Sequence, residues 1–300
     1  VHHRTGSYGK GDLAFYTKQG GSGVPPVEAM RLGDDGAVAL PSLASAPSLT
    51  ADYAKIYTEA FGNDSDTKLL LHMDGSDDGT TFTDSSAGAH SITRTGAVTK
   101  TAIKKFGTAS GWFDGVNDFL SVPDSTDWNL GTGSWTIEWW LYRTRTSNAD
   151  AIFEIGEWDA KGILAIFEAD NDLTFYLDHG GAGGTFTVAA ATEGLTVTNE
   201  WQHMALVHSG GLVEFFLNGN SVGSLAATPD ITPTDTTFNI GNATHNLSGL
   251  HFQGYLDEFR VCKGTADYTS NFTPQRSAYP VSNLVIMDGG GATYKLGQNW

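Results

Sequence analysis

Residues 134–141 read SWTIEWWL, and this stretch decides the fold. Trp135, Ile137, Trp139 and Leu141 alternate with Thr136, Glu138 and Trp140. A period of two belongs to an extended strand whose successive side chains point to opposite faces. One row therefore goes to a core, and the other carries a carboxylate beside an aromatic ring. Outward from it, short apolar stretches recur between Gly, Asn, Asp and Ser, a rhythm of sandwich strands rather than of strands alternating with helices. Strands are expected at Lys68–Met73, Ser110–Phe113, Phe119–Val122, Ala151–Ile155, Ile163–Glu168, Leu173–Asp178, His203–His208, Leu212–Leu217, Phe238–Ile240 and Gly254–Val261. Asn218-Gly219 lies between Val213–Leu217 and Ser221–Leu225, and both residues suit the positive φ of a type I′ hairpin turn. The fold class is all-β, with a main domain over residues 67–280.

Upstream the character differs. Residues 1–43 form a Gly-rich β segment in which Asp12–Thr17 is a strand, and Glu28–Leu32 leads through Gly33-Asp34-Asp35-Gly36 to Ala37–Leu40 as a hairpin. Such short stretches cannot bury a core alone, so the segment requires a neighbour and predicts a homo-oligomer. Residues 44–66 read as a linker, with a short helix where Tyr53, Ile56, Tyr57 and Ala60 fall at helical spacing. Residues 281–300 are a tail or the start of a further segment.

Composition narrows the partners. There are 37 Gly among 300 residues, as many tight turns require. With 17 Lys and Arg against 34 Asp and Glu, the net charge of −17 disfavours nucleic acid and anionic membrane surfaces, both of which need clustered cations. No apolar run is long enough for membrane insertion, and no secretion signal is legible; the chain begins with Val1, so that end says little. The single cysteine, Cys262, cannot form an intrachain disulfide and reads as a buried thiol on a strand.

Several phrases together resemble the laminin G-like, concanavalin A-like lectin/glucanase superfamily across most of residues 67–280. They are Leu69–Gly75 (LLLHMDG), Asp84-Ser85-Ser86, Lys105–Gly107 (KFG), Phe113–Pro123 (FDGVNDFLSVP), Trp135–Trp140 (WTIEWW), Glu200–Val207 (EWQHMALV), Phe216–Gly219 (FLNG), Asn239–Gly241 (NIG) and Gly254–Val261 (GYLDEFRV). The resemblance implies a jelly-roll of two antiparallel sheets, often with a calcium ion near one edge. The opening of the domain (TKLLLHMDGSDDGTTFTDSS) and the preceding Gly11–Leu40 stretch are similar to bacteriophage tail-fibre and other virion proteins. That likeness implies an extracellular or virion-surface location, a trimer by analogy with fibres, and contact with other virion or filament proteins and with host-surface glycans.

Two chemistries are expected. The resemblance matches a structural calcium ion, Ca2+, to Asp74 and Asp257, with Asp84 and Asp114 as additional ligands; hard oxygen donors from distant parts of the chain would tie the sandwich together. Each Asp near a turn reads equally well as a residue hydrogen-bonded to its own backbone. Asp74–Gly79 (DGSDDG) is not an EF-hand, because Ser85 stands where the closing Glu belongs. Carbohydrate binding needs exposed rings beside polar groups. It is assigned to Trp158, in the polar Gly156–Gly162 loop, and to Trp140 with Glu138, followed by Trp128 and Tyr176. Trp135, Trp139 and Trp201 read as rings of the core or the sheet edge.

Catalysis is not expected. Glycoside hydrolysis needs two carboxylates flanking one bond, and on a strand these must lie two apart. Glu154 and Glu157 are three apart and should face opposite sides. His203 reads as structural, and no nucleophile elbow, zinc spacing or phosphate loop is present. The alternative to recognition is a purely structural module, decorating a capsid or building a filament.

Overall fold

A computed structural model describes residues 66–279 apart from residues 147, 180, 190–194, 196, 235–236 and 246–248, and the backbone of seven strands outside that range. The chain divides into two units, Asp64–Tyr279 and Val1–Asn63 with Pro280–Trp300. Among the described residues there is no α-helix, only one 3-10 turn, Thr126–Trp128.

In the smaller unit, β1 (Leu13–Thr17), β2 (Val27–Leu32) and β3 (Val38–Ala39) form an antiparallel sheet that includes the expected hairpin. A second sheet contains β4 (Ser42–Leu43) and β5 (Lys55–Ala60), with β21 (Ser282–Met287) and β22 (Thr293–Leu296). The expected short helix is therefore corrected to a strand. Ile56, Tyr57 and Thr58 are β-branched or aromatic, and the six residues of β5 pair in register with β21, satisfying the backbone groups that a helix would have satisfied locally. Helical spacing of apolar residues was outweighed by a partner strand more than 200 residues away.

The larger unit is the sandwich. Its strands run β6 (Thr67–Leu71), β7 (Thr93–Thr95), β8 (Val98–Lys100), β9 (Ser110–Asp114), β10 (Phe119–Val122), β11 (Trp135–Arg143), β12 (Asp150–Ile155), β13 (Ile163–Phe167), β14 (Leu173–Leu177), β15 (Gly184–Val188), β16 (Trp201–Ser209), β17 (Leu212–Leu217), β18 (Asn220–Ala226), β19 (Phe238–Ile240) and β20 (Gln253–Lys263). One sheet has the order β15-β14-β13-β12-β19-β10-β7; the other has β18-β17-β16-β11-β20-β9-β8, with β6 also on β20. Every pairing in both sheets is antiparallel, the arrangement of a concanavalin A-like jelly-roll.

The alternation in residues 134–141 explains the packing. Trp135, Ile137, Trp139 and Leu141 enter the core between the sheets, where Trp139 meets Phe153 of the facing sheet at 5.3 Å and Phe259 at 5.9 Å. Each such side chain contributes about 1.5–3 kcal/mol on burial, so the inner rows of both sheets hold the layers together. Asn218 and Gly219 take φ 50° and 79°, as the hairpin requires. Cys262 is buried with its Sγ 3.6 Å from the Thr67 hydroxyl, and burial pushes its thiol pKa up.

Candidate functional site

The outer face of the seven-stranded sheet carries an open cluster. Tyr176 on β14 sits beside Leu164 on β13, and Trp158 reaches it from the turn after β12. Gly156, with φ 59°, starts that turn and takes the chain out of the sheet. Trp158 and Tyr176 have ring centroids 4.9 Å apart, and His179 lies 5.5 Å from each. The rings rest on buried Leu164, Ile166 and Ala151, and the Trp158 indole donates to the His245 carbonyl at 3.0 Å. Apolar support below and a hydrogen bond at the edge fix the platform, while Trp158 and Tyr176 stay half-buried and His179 exposed.

Its rim is acidic. Asp159 is 2.9 Å from His245 Nε2, Glu157 is 3.7 Å from Nδ1, and Glu168 Oε1 accepts from the Tyr176 hydroxyl at 3.3 Å. Burial pushes the Glu168 pKa up, aided by the charges of Asp170 and Asp172 and opposed by the Tyr176 bond. Lys161, in the same loop, is held by Asp230 at 2.5 Å. The site thus offers ring surfaces and carboxylate acceptors, suited to hydroxyl-bearing neutral ligands and unfavourable to anions.

The other three predicted sugar-binding residues lie elsewhere. Glu138 and Trp140 do occupy the outer face of the eight-stranded sheet, but the chain covers their part of that face. Glu138 is fully buried: Arg260 donates to Oε1 from Nε at 2.6 Å, and Tyr268 donates to Oε2 at 2.7 Å, with His203 Nε2 3.1 Å away. Burial opposes its charge, but Arg260 and His203 outweigh that and hold the carboxyl well below the usual range. Trp140 lies beneath Lys105, whose ammonium is 3.8 Å from the ring centroid, and beside Phe106. Trp128 is buried against His90 and Phe238, its indole donating to the Pro123 carbonyl at 3.0 Å. All three are structural. Trp201 is neither core nor lost at an edge; it stands half-buried on the outer face beside Tyr142. His179 and His245 were missed because Trp158, which both meet, comes from another loop.

Glu154 and Glu157 correct another expectation. Because the strand ends at Ile155 and the chain turns at Gly156, both carboxylates face the 244–245 segment rather than opposite sides. Glu154 is buried, its Oε2 accepting from the Thr244 backbone N–H at 2.7 Å, and burial pushes its pKa up.

The calcium candidates also divide. Asp84 is buried in a turn and accepts from the backbone of Leu70, Ser86 and His90 at 2.8–3.0 Å. Asp114 accepts from Val116 and Asn117 in its own turn. Asp114 thus bonds its own turn, while Asp84 bonds both its turn and the β6 strand. Asp74 and Asp257 are joined through one loop: Asp257 Oδ2 accepts from the Lys105 and Phe106 N–H groups at 2.8 and 3.1 Å, while Asp74 Oδ1 accepts from the Thr108 hydroxyl at 2.9 Å. Asp257 is buried with Oδ1 unpaired, and burial pushes its pKa up to about 8. Such an atom suits a hard cation, though no group of three or more His, Cys, Asp or Glu side chains gathers for a metal among the described residues.

Known proteins agree with this architecture. The fold is similar to the receptor-binding domain of botulinum neurotoxin D, at 14% identity and TM-score 0.50, covering 66% of this chain and 49% of that one. It is likewise similar to the binding domain of botulinum neurotoxin DC in complex with rat synaptotagmin II, at 12% identity and TM-score 0.51, covering 67% and 49%. A third similar structure is domain 4 of AbnA, a GH43 extracellular arabinanase from Geobacillus stearothermophilus in complex with arabinotriose, at 17% identity and TM-score 0.47, covering 67% and 95%. The chain thus spans about half the length of the neurotoxin domains. No curated protein matches it. The model of the Laminin_G_3 family matches residues 114–267, about half the chain and the sandwich from the end of β9 through β20, so the chain belongs to this family of the Concanavalin A-like lectin/glucanases superfamily.

Proposed function

We propose that the protein is a non-enzymatic recognition protein whose sandwich binds neutral carbohydrate on the platform of Trp158, Tyr176 and His179. The observation that carries this reading is the meeting of the Trp158 ring, from the loop after β12, with Tyr176 on β14 and His179 just after it, supported from below, half-exposed among the described residues and rimmed by carboxylates. Rings meet the apolar faces of sugars while acceptors take their hydroxyls, and the acidic rim turns sialylated or sulfated glycans away. Buried Glu154, already bonded to the Thr244 backbone, supports binding without hydrolysis. A glycan array with the intact chain tests the proposal. Binding to neutral glycans should fall at least tenfold in Trp158→Ala with the sandwich still folded; no binding at millimolar sugar would leave the purely structural module as the reading.

The setting follows from the sequence. Resemblance of residues 11–40 and of the domain opening to tail-fibre proteins supports a virion or fibre surface contacting host glycans and other virion proteins. The N-terminal β segment supports a trimer, in which weak sites would combine into useful avidity. Light scattering giving a monomer at micromolar concentration would remove that part. Calcium would be held by Asp74 and Asp257 together with backbone oxygens, giving structural stabilisation. Calcium should raise the Tm of the intact chain and fail to do so in Asp257→Asn; equal Tm values with calcium and with chelator would refute the site.

A further inference from the structure

The outer face of the eight-stranded sheet is covered in rows, except one. The row of Glu138 and Arg260 lies under Tyr268 and Tyr279, and the row of Trp140 and Asp257 lies under the loop that carries Lys105 and Phe106. The next row is different. Trp112 on β9 is directly opposite Tyr255 on β20, Tyr255 is opposite Tyr142 on β11, and Tyr142 is opposite Trp201 on β16. Four aromatic rings therefore stand in line across four adjacent strands, with centroid separations of 4.6, 5.5 and 5.5 Å.

All four are half-buried, while their strand neighbours Phe113, Leu256 and Leu141 point into the core. A row kept only for packing would suit aliphatic side chains; this one consists of Trp and Tyr, each with an apolar body and a polar handle. Neither the Tyr142 and Tyr255 hydroxyls nor the Trp112 and Trp201 indole N–H groups hydrogen-bond to another described residue. The rings are tilted at 46°, 88° and 60° rather than stacked, so edges and faces both remain open.

We infer that this strip is a second carbohydrate-binding surface, for an extended neutral glycan chain lying across the strands. Three grounds select that occupant. Strands repeat at about 4.8 Å, so four rings span roughly 14 Å, and that repeat is close to the advance of one sugar in an extended β-linked chain. The four free donors can meet hydroxyl and ring oxygens along such a chain. Charge excludes a polyanion: the protein carries −17, and Lys100 beside the strip is already paired with Asp78 at 2.5 Å. The strip lies on the opposite sheet from Trp158, so the inference does not depend on that site.

The test uses the intact chain labelled with 5-fluorotryptophan, its resonances assigned by single Trp→Phe substitutions. Cellohexaose, xylohexaose and chitohexaose are the probes, with glucose as the short control. At least one hexaose should shift the Trp112 and Trp201 signals, bind at least tenfold more tightly than glucose, and leave core Trp135 and Trp139 unmoved. Trp112→Ala/Trp201→Ala should weaken that binding at least tenfold, while Trp158→Ala retains it. Static Trp112 and Trp201 signals at millimolar hexaose would overturn the inference. So would concentration-dependent self-association that the double variant abolishes, since a second copy would then occupy the strip.

Discussion

Two outer faces of one sandwich carry the same kind of residues and meet opposite fates. On the eight-stranded sheet, Glu138 and Trp140 project away from the core as Tyr176 does on the seven-stranded sheet, yet residues 265–279 and the loop around Lys105 return over them. On the seven-stranded sheet the described residues of the loops after β12 and β19 flank Trp158 and Tyr176 and leave both rings half-exposed. An acid beside an aromatic ring is therefore a buried strut in one place and part of the open, proposed recognition surface in the other. What decides is whether the chain comes back to satisfy the acid, because a buried carboxylate must be paired whereas an exposed one has water.

The sharpest way to break this comparison is to remove the buried acid. Glu138→Ala takes the buried carboxylate from His203 and from Arg260, which keeps Asp267, and should cost about 3–5 kcal/mol in urea unfolding. Glu168→Ala, on the open side, should stay within about 1 kcal/mol. Similar costs at both positions would dissolve the distinction. Acid sharpens it. The Glu138 pKa is depressed in the folded protein, so its stabilisation is complete above the ordinary carboxylate value and is lost as pH falls through its lower folded value. Stability should drop below about pH 4.5, and Glu138→Gln should flatten that drop. An unchanged acid limb in the variant would mean other carboxylates govern it.

The covering segment is anchored at a glycine. Gly219 has φ 79°, its carbonyl accepts from the Phe272 N–H at 2.8 Å, and a Cβ there would meet the Phe272 carbonyl oxygen at 2.0 Å. Gly210 has φ 58° with nothing near such a Cβ. Gly219→Ala should therefore cost about 2 kcal/mol and loosen Tyr268 and Phe272, visible in near-UV circular dichroism. Gly210→Ala carries only the backbone strain of about 1 kcal/mol. Equal losses with unchanged aromatic signals would show that the hairpin does not hold the cover down.

Much of the fold is legible in local pattern, because a half-buried strand writes its burial as alternation. Trp135 to Leu141 and the Asn218-Gly219 turn are of this kind. Thr93–Thr95, Val98–Lys100 and Gly184–Val188 passed unread, being short or polar enough that only their neighbours make them strands. The site divides on the same line. Trp158 stood out through its polar, Gly-flanked loop, but nothing near Glu138 in sequence announces that Tyr268 will come from 130 residues away to bond it. Alternation says which face a residue takes, not what later lies upon that face. The helix expected around Tyr53 to Ala60 has the same origin, since pairing with β21 and β4 makes Lys55–Ala60 a strand.

The smallest expected effect separates two ways in which the open platform can work. Tyr176 contributes a ring 4.9 Å from Trp158 and a hydroxyl that donates to Glu168 at 3.3 Å. That bond is long and half-exposed, so Tyr176→Phe should lower stability by only about 0.5–1 kcal/mol in urea. Its ring and the support from Leu164 remain. If the rings carry recognition, Tyr176→Phe should keep glycan affinity within about threefold of wild type while Tyr176→Ala loses it, because stacking is a property of the aromatic face. Loss in Tyr176→Phe as large as in Tyr176→Ala would instead place recognition in the hydroxyl and the Glu168 carboxyl it positions. The open face would then share more with the hydrogen-bonded cluster around Glu138 than its exposure suggests.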